Sequence, residues 1–183
     1  MAKIRLNKVV AFILLFCVLV LVYLGCCAIV FFREKFMPLQ VFGQIDYLKA
    51  IHKLESEYNS FEDEHTKEWY REKIEQDLEL KFYFYKERDI ERYNGLAYAT
   101  IRTIVIDEEL DGYGYCKTFA HEVMHLKLFI QQEDYVCYET FKYLYESEEL
   151  HNVGVWYGLQ QLRGCYSGKY NISGHIVNYL TKK

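Results

Sequence analysis

Phe119-Ala120-His121-Glu122-Val123-Met124-His125-Leu126 sets an H-E-x-x-H sequence inside an apolar, helix-compatible run. Residues four apart on an α-helix lie nearly one above the other, so His121 and His125 project two imidazoles from one face. At that spacing they form a pair of nitrogen ligands suited to Zn²⁺. Glu122 is close enough to reach a water on the same ion without coordinating it. A zinc ion lowers the pKa of its bound water, and a neighbouring carboxylate takes the proton as that water attacks a carbonyl. An accidental H-E-x-x-H in a chain of this length has odds of roughly one in a few hundred. Phe119, Ala120, Val123, Met124 and Leu128 supply the apolar faces that would seat such a helix in a core.

Upstream, the chain opens with a short basic segment, residues 1–8, carrying Lys3, Arg5 and Lys8. Residues 9–32 follow without a charge, and a helix of that length spans roughly 36 Å, enough to cross a bilayer with some tilt. The apolar core of a cleaved signal peptide is shorter, at about 7–15 residues. An uncleaved anchor is therefore expected, although Leu24-Gly25-Cys26 faintly suggests a lipoprotein cleavage site. Three basic residues before the span, against Arg33 and Lys35 after it, lean towards a cytoplasmic N terminus. Residues 33–43, with the sole proline at Pro38, read as a juxtamembrane connector, and 44–183 as one domain.

Within that domain, Ile45, Leu48, Ile51, Leu54 and Tyr58 recur at helical spacing. A second helix is predicted over Thr66 to Leu78, with Trp69, Tyr70, Ile74 and Leu78 inward. Leu80 to Tyr85 reads as a strand, Asn94-Gly95 as a turn, and Leu96 to Ile106, rich in β-branched residues, as another strand. Gly112 and Gly114 mark a loop before the His121 helix. Val153, Val155, Trp156, Leu159 and Leu162 predict a helix ending near Gly164, and a last one begins at Asn171 or Ser173 and runs through Leu180. His52 and His65, set among charges, read as solvated surface.

The charge balance gives no reason to expect nucleic acid. All 26 acidic residues, and all but three of the 22 basic ones, lie beyond Phe32. No C-x-x-C occurs among the six cysteines: Cys17, Cys26 and Cys27 lie in the apolar N-terminal run, and the scattered Cys116, Cys137 and Cys165 read as buried free thiols rather than a disulfide framework. Asn171-Ile172-Ser173 is a formal glycosylation sequon.

From about Leu80 to Leu144 the chain resembles the zincin metallopeptidases, on the strength of His121-Glu122-x-x-His125 preceded by a β-strand. The resemblance implies a small α+β zincin-like domain behind one transmembrane helix. It further implies a zinc ion on His121 and His125, Glu122 as general base, and a protein or peptide substrate bound as an added strand along the sheet edge. A catalytic site of this kind needs a third protein ligand. The metzincin pattern is excluded, because Leu128 and Gln131 stand where its glycine and third histidine would be. The gluzincin branch uses a Glu on the following helix, and Glu133 and Glu139 both qualify, with Asp134 a more distant choice. If the zinc helix stops near Leu128, Glu133 opens the next helix, and Val136, Cys137 and Thr140 are small enough for close approach. If it runs on to Ile130 and reverses tightly, Glu139 comes level with His125. Glu133 is preferred, and the short spacing looks like the compact single-domain gluzincins. His151, Tyr157 and His175 are candidate contacts to substrate or oxyanion among which nothing in the sequence selects, and packing or surface roles are the favoured reading for them. A rival reading is a membrane-anchored binding or immunity-type protein whose zinc site is structural or vestigial. A structural site would be closed by a fourth ligand, with Cys116 and Cys137 the nearest thiols.

Overall fold

A computed structural model describes residues 8–35, 44–59, 66–88, 90, 93–129, 132–164 and 172–182. The expectations for His65, Cys165, Asn171 and most of the juxtamembrane connector lie outside those residues. The chain divides into two units, Met1–Val41 and Phe42–Lys183. In the first, α1 (Lys8–Lys35) runs three residues further than the uncharged stretch. Its window Val10–Cys27 is uniformly apolar and none of it is buried, so this helix is long and apolar enough to cross a membrane.

The second unit is mostly helical around a small mixed sheet. Its elements are α2 (Gln44–Tyr58), α3 (Lys67–Leu78), β1 (Tyr83–Glu87), β2 (Gly95–Tyr98), a 3₁₀ turn (Ala99–Ile101) and β3 (Thr103–Asp107). Then come α4 (Gly112–Leu128), α5 (Glu133–Glu146), α6 (His151–Gly164) and α7 (Ile172–Lys182). The architecture is α+β, as the residue pattern led one to expect. Thr66 caps α3, its hydroxyl accepting from the Trp69 N–H, and Tyr70 and Ile74 are buried. In α2 the buried stripe is Ala50 and Leu54, flanked by Tyr47 and Ile51, while the predicted inward residues Leu48 and Tyr58 face solvent. Tyr47 turns α2 by donating its hydroxyl to the Leu162 carbonyl of α6.

Three expectations for the sheet are corrected. The first strand begins at Tyr83 rather than Leu80. The single strand expected over Leu96 to Ile106 is two strands, because the 3₁₀ turn and Arg102, with φ of 50°, reverse the chain. Asn94-Gly95 is no hairpin turn: Gly95 opens β2 and pairs with Ile106. The strand order is β1-β3-β2, with β1 parallel and β2 antiparallel to the central β3. Among the described residues the outer edge of β2 therefore has no neighbour. Phe84, Ile104 and Ala97 stand side by side in register and pack towards α4.

Helix α4 is the centre of the core. Tyr115, Phe119, Ala120 and Val123 are fully buried, with Phe119 stacked on Tyr115 and edge-on to Phe84. Burying a side chain of this size contributes about 1.5–3 kcal/mol. Gly112 and Gly114 lie inside the helix rather than in a loop before it. The Asp111 carboxylate accepts from the Gly114 N–H and fixes the start one turn earlier than the glycines suggest. At the other end Phe129 takes the left-handed conformation, with φ of 53°, and its side chain is exposed. Left-handed backbone costs a non-glycine residue about 1 kcal/mol, and this position is the one that glycine favours after a helix. Phe129→Gly is expected to stabilise the chain by about 0.5–1 kcal/mol, read as a raised denaturant midpoint. An unchanged or lowered midpoint would show that the exposed ring contributes more than the backbone costs.

Candidate metal centre

Helix α4 presents His121, Glu122 and His125, and α5 begins with Glu133. The two imidazoles are brought together, with Nε2 of His125 3.1 Å from Nε2 of His121. One Glu133 carboxylate oxygen lies 3.1 Å from Nε2 of His121, and the other 3.3 Å from Nε2 of His125. Four ligands at 2.0–2.1 Å from a tetrahedral zinc ion stand roughly 3.3–3.4 Å apart. The triangle formed by the two nitrogens and the carboxylate is close to that size, so the donor set fits a zinc ion.

The geometry separates the two glutamates that the sequence left in competition. Because α4 ends at Leu128, Glu133 is the first residue of α5 and reaches both histidines. Glu139 is six residues further on, about 240° around the helix from Glu133, and is not part of the cleft. Asp134, half-buried, is adjacent but likewise outside the cleft lining. Cys137, one turn after Glu133, shares its side of α5. Ligand atoms of His121, Glu133 and Cys137 all lie within 4.8 Å of one another, a group able to hold a metal ion. Cys137 Sγ is 3.7 Å from Nδ1 of His121, the ring nitrogen turned away from Glu133. Cys116 is fully buried in the core instead.

Of the three donors considered from the sequence, Tyr157 on α6 is the one that reaches the site, its hydroxyl 3.5 Å from Nδ1 of His121. Burial pushes that phenol well above its ordinary pKa, so it stays protonated. His151 is engaged elsewhere, with the Tyr145 carbonyl and the Glu57 carboxylate, and His175 packs on Tyr138. His52 is exposed beside Glu55.

Electrostatics follow from this packing. The histidines, His121 first, hold the Glu133 carboxyl well below the usual carboxylate range. Burial disfavours a charged His121 most strongly, but hydrogen bonds with Cys137 and Glu133 and the Glu122 charge outweigh it, and the ring is pushed up to about 10. Glu122 is only 7% exposed. Burial raises its pKa, opposed by the neighbouring histidines.

The cleft above these groups has a volume of about 620 Å³. Its walls include β2, Lys117, Glu122 and Gln161. A Cβ on Gly95 would meet Thr118 Cγ2 at 2.7 Å and Glu122 Cγ at 2.9 Å, so glycine is what lets the edge strand close onto Glu122. Comparison with protein-family models, with curated proteins and with solved structures returns no match to this chain, and the site stands on its own geometry.

Two predictions follow from the packing and the charges. Between the ordinary histidine pKa and about 10, His121 carries a proton that a metal ion must displace, whereas Glu133 is already ionised. Zinc affinity should therefore rise by about tenfold per pH unit for the one displaced proton. Binding enthalpies measured in buffers of different ionisation heat should give a slope of about one proton released near pH 7. A slope of zero would mean that the ring is already neutral. Gly95→Ala should cost about 1–3 kcal/mol in stability by overpacking, read from denaturant unfolding. A variant as stable as the parent would show that β2 can lift off α4 without cost.

Proposed function

We propose that this chain is a membrane-anchored, zinc-dependent peptidase of gluzincin type. The observation that carries it is the convergence of His121, His125 and Glu133 to within 3.1–3.3 Å beside the buried Glu122. In this reading His121, His125 and Glu133 hold the zinc ion, and α1 stays in the membrane as a single-pass anchor with a cytoplasmic N terminus.

The substrate is a protein or peptide lying extended along the free edge of β2, where main-chain groups of the strand are available for pairing. That edge borders the cleft, so the scissile carbonyl is carried over the two histidines. When bound, the zinc ion supplies Lewis acidity to the water and to the carbonyl. The Glu122 carboxylate takes a proton from the attacking water and passes it to the departing amine nitrogen as the C–N bond breaks. Its raised pKa suits both halves of that transfer, since a base held too acidic would not accept the proton. Glu133 offsets positive charge at the centre, and its two oxygens keep both imidazoles in place.

A second reading is favoured by the position of Cys137. With the sulfur as fourth ligand to a closed site, the chain would be a membrane-anchored binding or immunity-type protein with a structural zinc ion.

The test uses the full chain in detergent, as wild type and as Glu122→Gln, with zinc content and cleavage of a mixed peptide library measured for both. Zinc in both proteins, and cleavage reduced by about 10²–10⁴-fold in the variant, is the expected result. Zinc in both with no cleavage in either would favour the closed structural site. No zinc in the wild type would sink both readings.

A further inference from the structure

Resting on the zinc reading above, we infer that Cys137 is a positioning residue for His121: its sulfur accepts the Nδ1–H of the ring and holds Nε2 towards the metal. A histidine ligand carries its proton on the nitrogen remote from the metal, and the partner of that N–H sets both tautomer and ring angle. Nε2 of His121 faces Glu133 and His125. Among the described residues, the polar atoms paired with Nδ1 are Cys137 Sγ at 3.7 Å and the Tyr157 hydroxyl at 3.5 Å. No carboxylate or backbone carbonyl among those residues pairs with Nδ1, so the role ordinarily given to a strong oxygen acceptor falls to sulfur.

The helix phase makes this arrangement specific. Cys137 lies one turn after Glu133, so a single face of α5 delivers the ligand to Nε2 and the acceptor to Nδ1. Tyr157, buried and protonated, completes the group from α6. Its hydroxyl lies 3.5 Å from the same Nδ1. In this inference the sulfur is engaged by Nδ1, on the side of the ring remote from Nε2, and does not serve as a ligand to an ion held there. The centre therefore keeps an open coordination position, as a hydrolytic site requires and a four-ligand structural site does not.

The test compares the full chain in detergent as wild type, Cys137→Val, Cys137→Ser and Tyr157→Phe. Zinc affinity is read by chelator competition, and unfolding of the zinc-free proteins serves as the structural control. Cys137→Val should bind zinc about 10–100-fold more weakly with an unchanged zinc-free unfolding midpoint, while Cys137→Ser, which keeps an acceptor, recovers most of the loss. Tyr157→Phe should fall between them. Two measurements on the wild type need no variant. Imidazole ¹⁵N shifts of the zinc-loaded protein should show His121 protonated at Nδ1 and metallated at Nε2, and the cobalt-substituted protein should lack a sulfur-to-cobalt charge-transfer band. Undiminished zinc affinity in Cys137→Val, the opposite tautomer, or a charge-transfer band would each overturn the inference while leaving the metal site standing. A wild type that takes up no zinc would overturn the metal reading and this one together.

Discussion

Glu133 is the group on which both the fold and the site depend. Helix α4 is the innermost element of the domain, and it carries His125 and Glu122 into surroundings otherwise made of Tyr115, Phe119, Val123 and Met124. Polar groups taken that far from water cost several kcal/mol unless they are paired. Two imidazole nitrogens 3.1 Å apart can share one N–H···N hydrogen bond, but they repel when both rings bear a proton or both bear a lone pair on the facing nitrogen. A carboxylate bridging both resolves the conflict, with either a shared proton or a cation filling the triangle. Glu133 must therefore arrive at the level of the two histidines. That position is reached because α4 stops at Leu128, Phe129 bends through left-handed backbone, and α5 starts on Glu133 itself.

The sheet answers a second requirement, a wall beside the polar side of α4. β3 packs its Ile104 and Ile106 into the core, and β2 is folded back against β3 so that its own outer edge borders the cleft. The approach is close enough that any side chain at position 95 would collide with Thr118 and Glu122. Placement of Glu122 and placement of the edge strand are thus one packing problem rather than two. Charge in the cleft is arranged to match, with Glu122 kept reluctant to ionise while Glu133 is kept fully ionised, so two carboxylates a few ångströms apart take different roles.

Local signals were legible in the chain where they depend on period or on one residue. The i, i+4 histidines fell on one helix face, Thr66 capped the helix predicted from it, and apolar residues at helical spacing marked α2, α3, α4 and α6. What could not be read depends on register between elements. The 3₁₀ turn itself carries Thr100 and Ile101, β-branched like Thr103 to Ile106 after it, so composition carries no mark of the reversal at Arg102. Phe82 to Tyr85 is aromatic throughout, which leaves the strand frame open until pairing with β3 selects Tyr83. The pair Gly112 and Gly114 resembles a loop, but one capping carboxylate from Asp111 outweighs the low propensity of both. Glu133 and Glu139 were separable only once the end of α4 was known, and Phe129 bears none of the usual marks of a helix stop. Tyr157 could be named from the sequence but not chosen over His151 and His175, because its place depends on where α6 crosses α5.

That crossing has a physical cause of its own. A Cβ on Gly154 would lie 2.4 Å from the Tyr145 N and 2.6 Å from the Leu144 carbonyl carbon, so α6 rests directly on the backbone at the end of α5. Contact this close is open only to glycine, and it draws the next turn of α6, which bears Tyr157, towards Cys137. The tyrosine is then sealed in, with its ring in the core and its hydroxyl against the sulfur and His121. A protonated phenol in an apolar wall must find acceptors nearby, and these are the ones within reach. The same close approach that packs α5 against α6 thereby sets the sulfur of Cys137 and the hydroxyl of Tyr157 against one imidazole nitrogen, Nδ1 of His121.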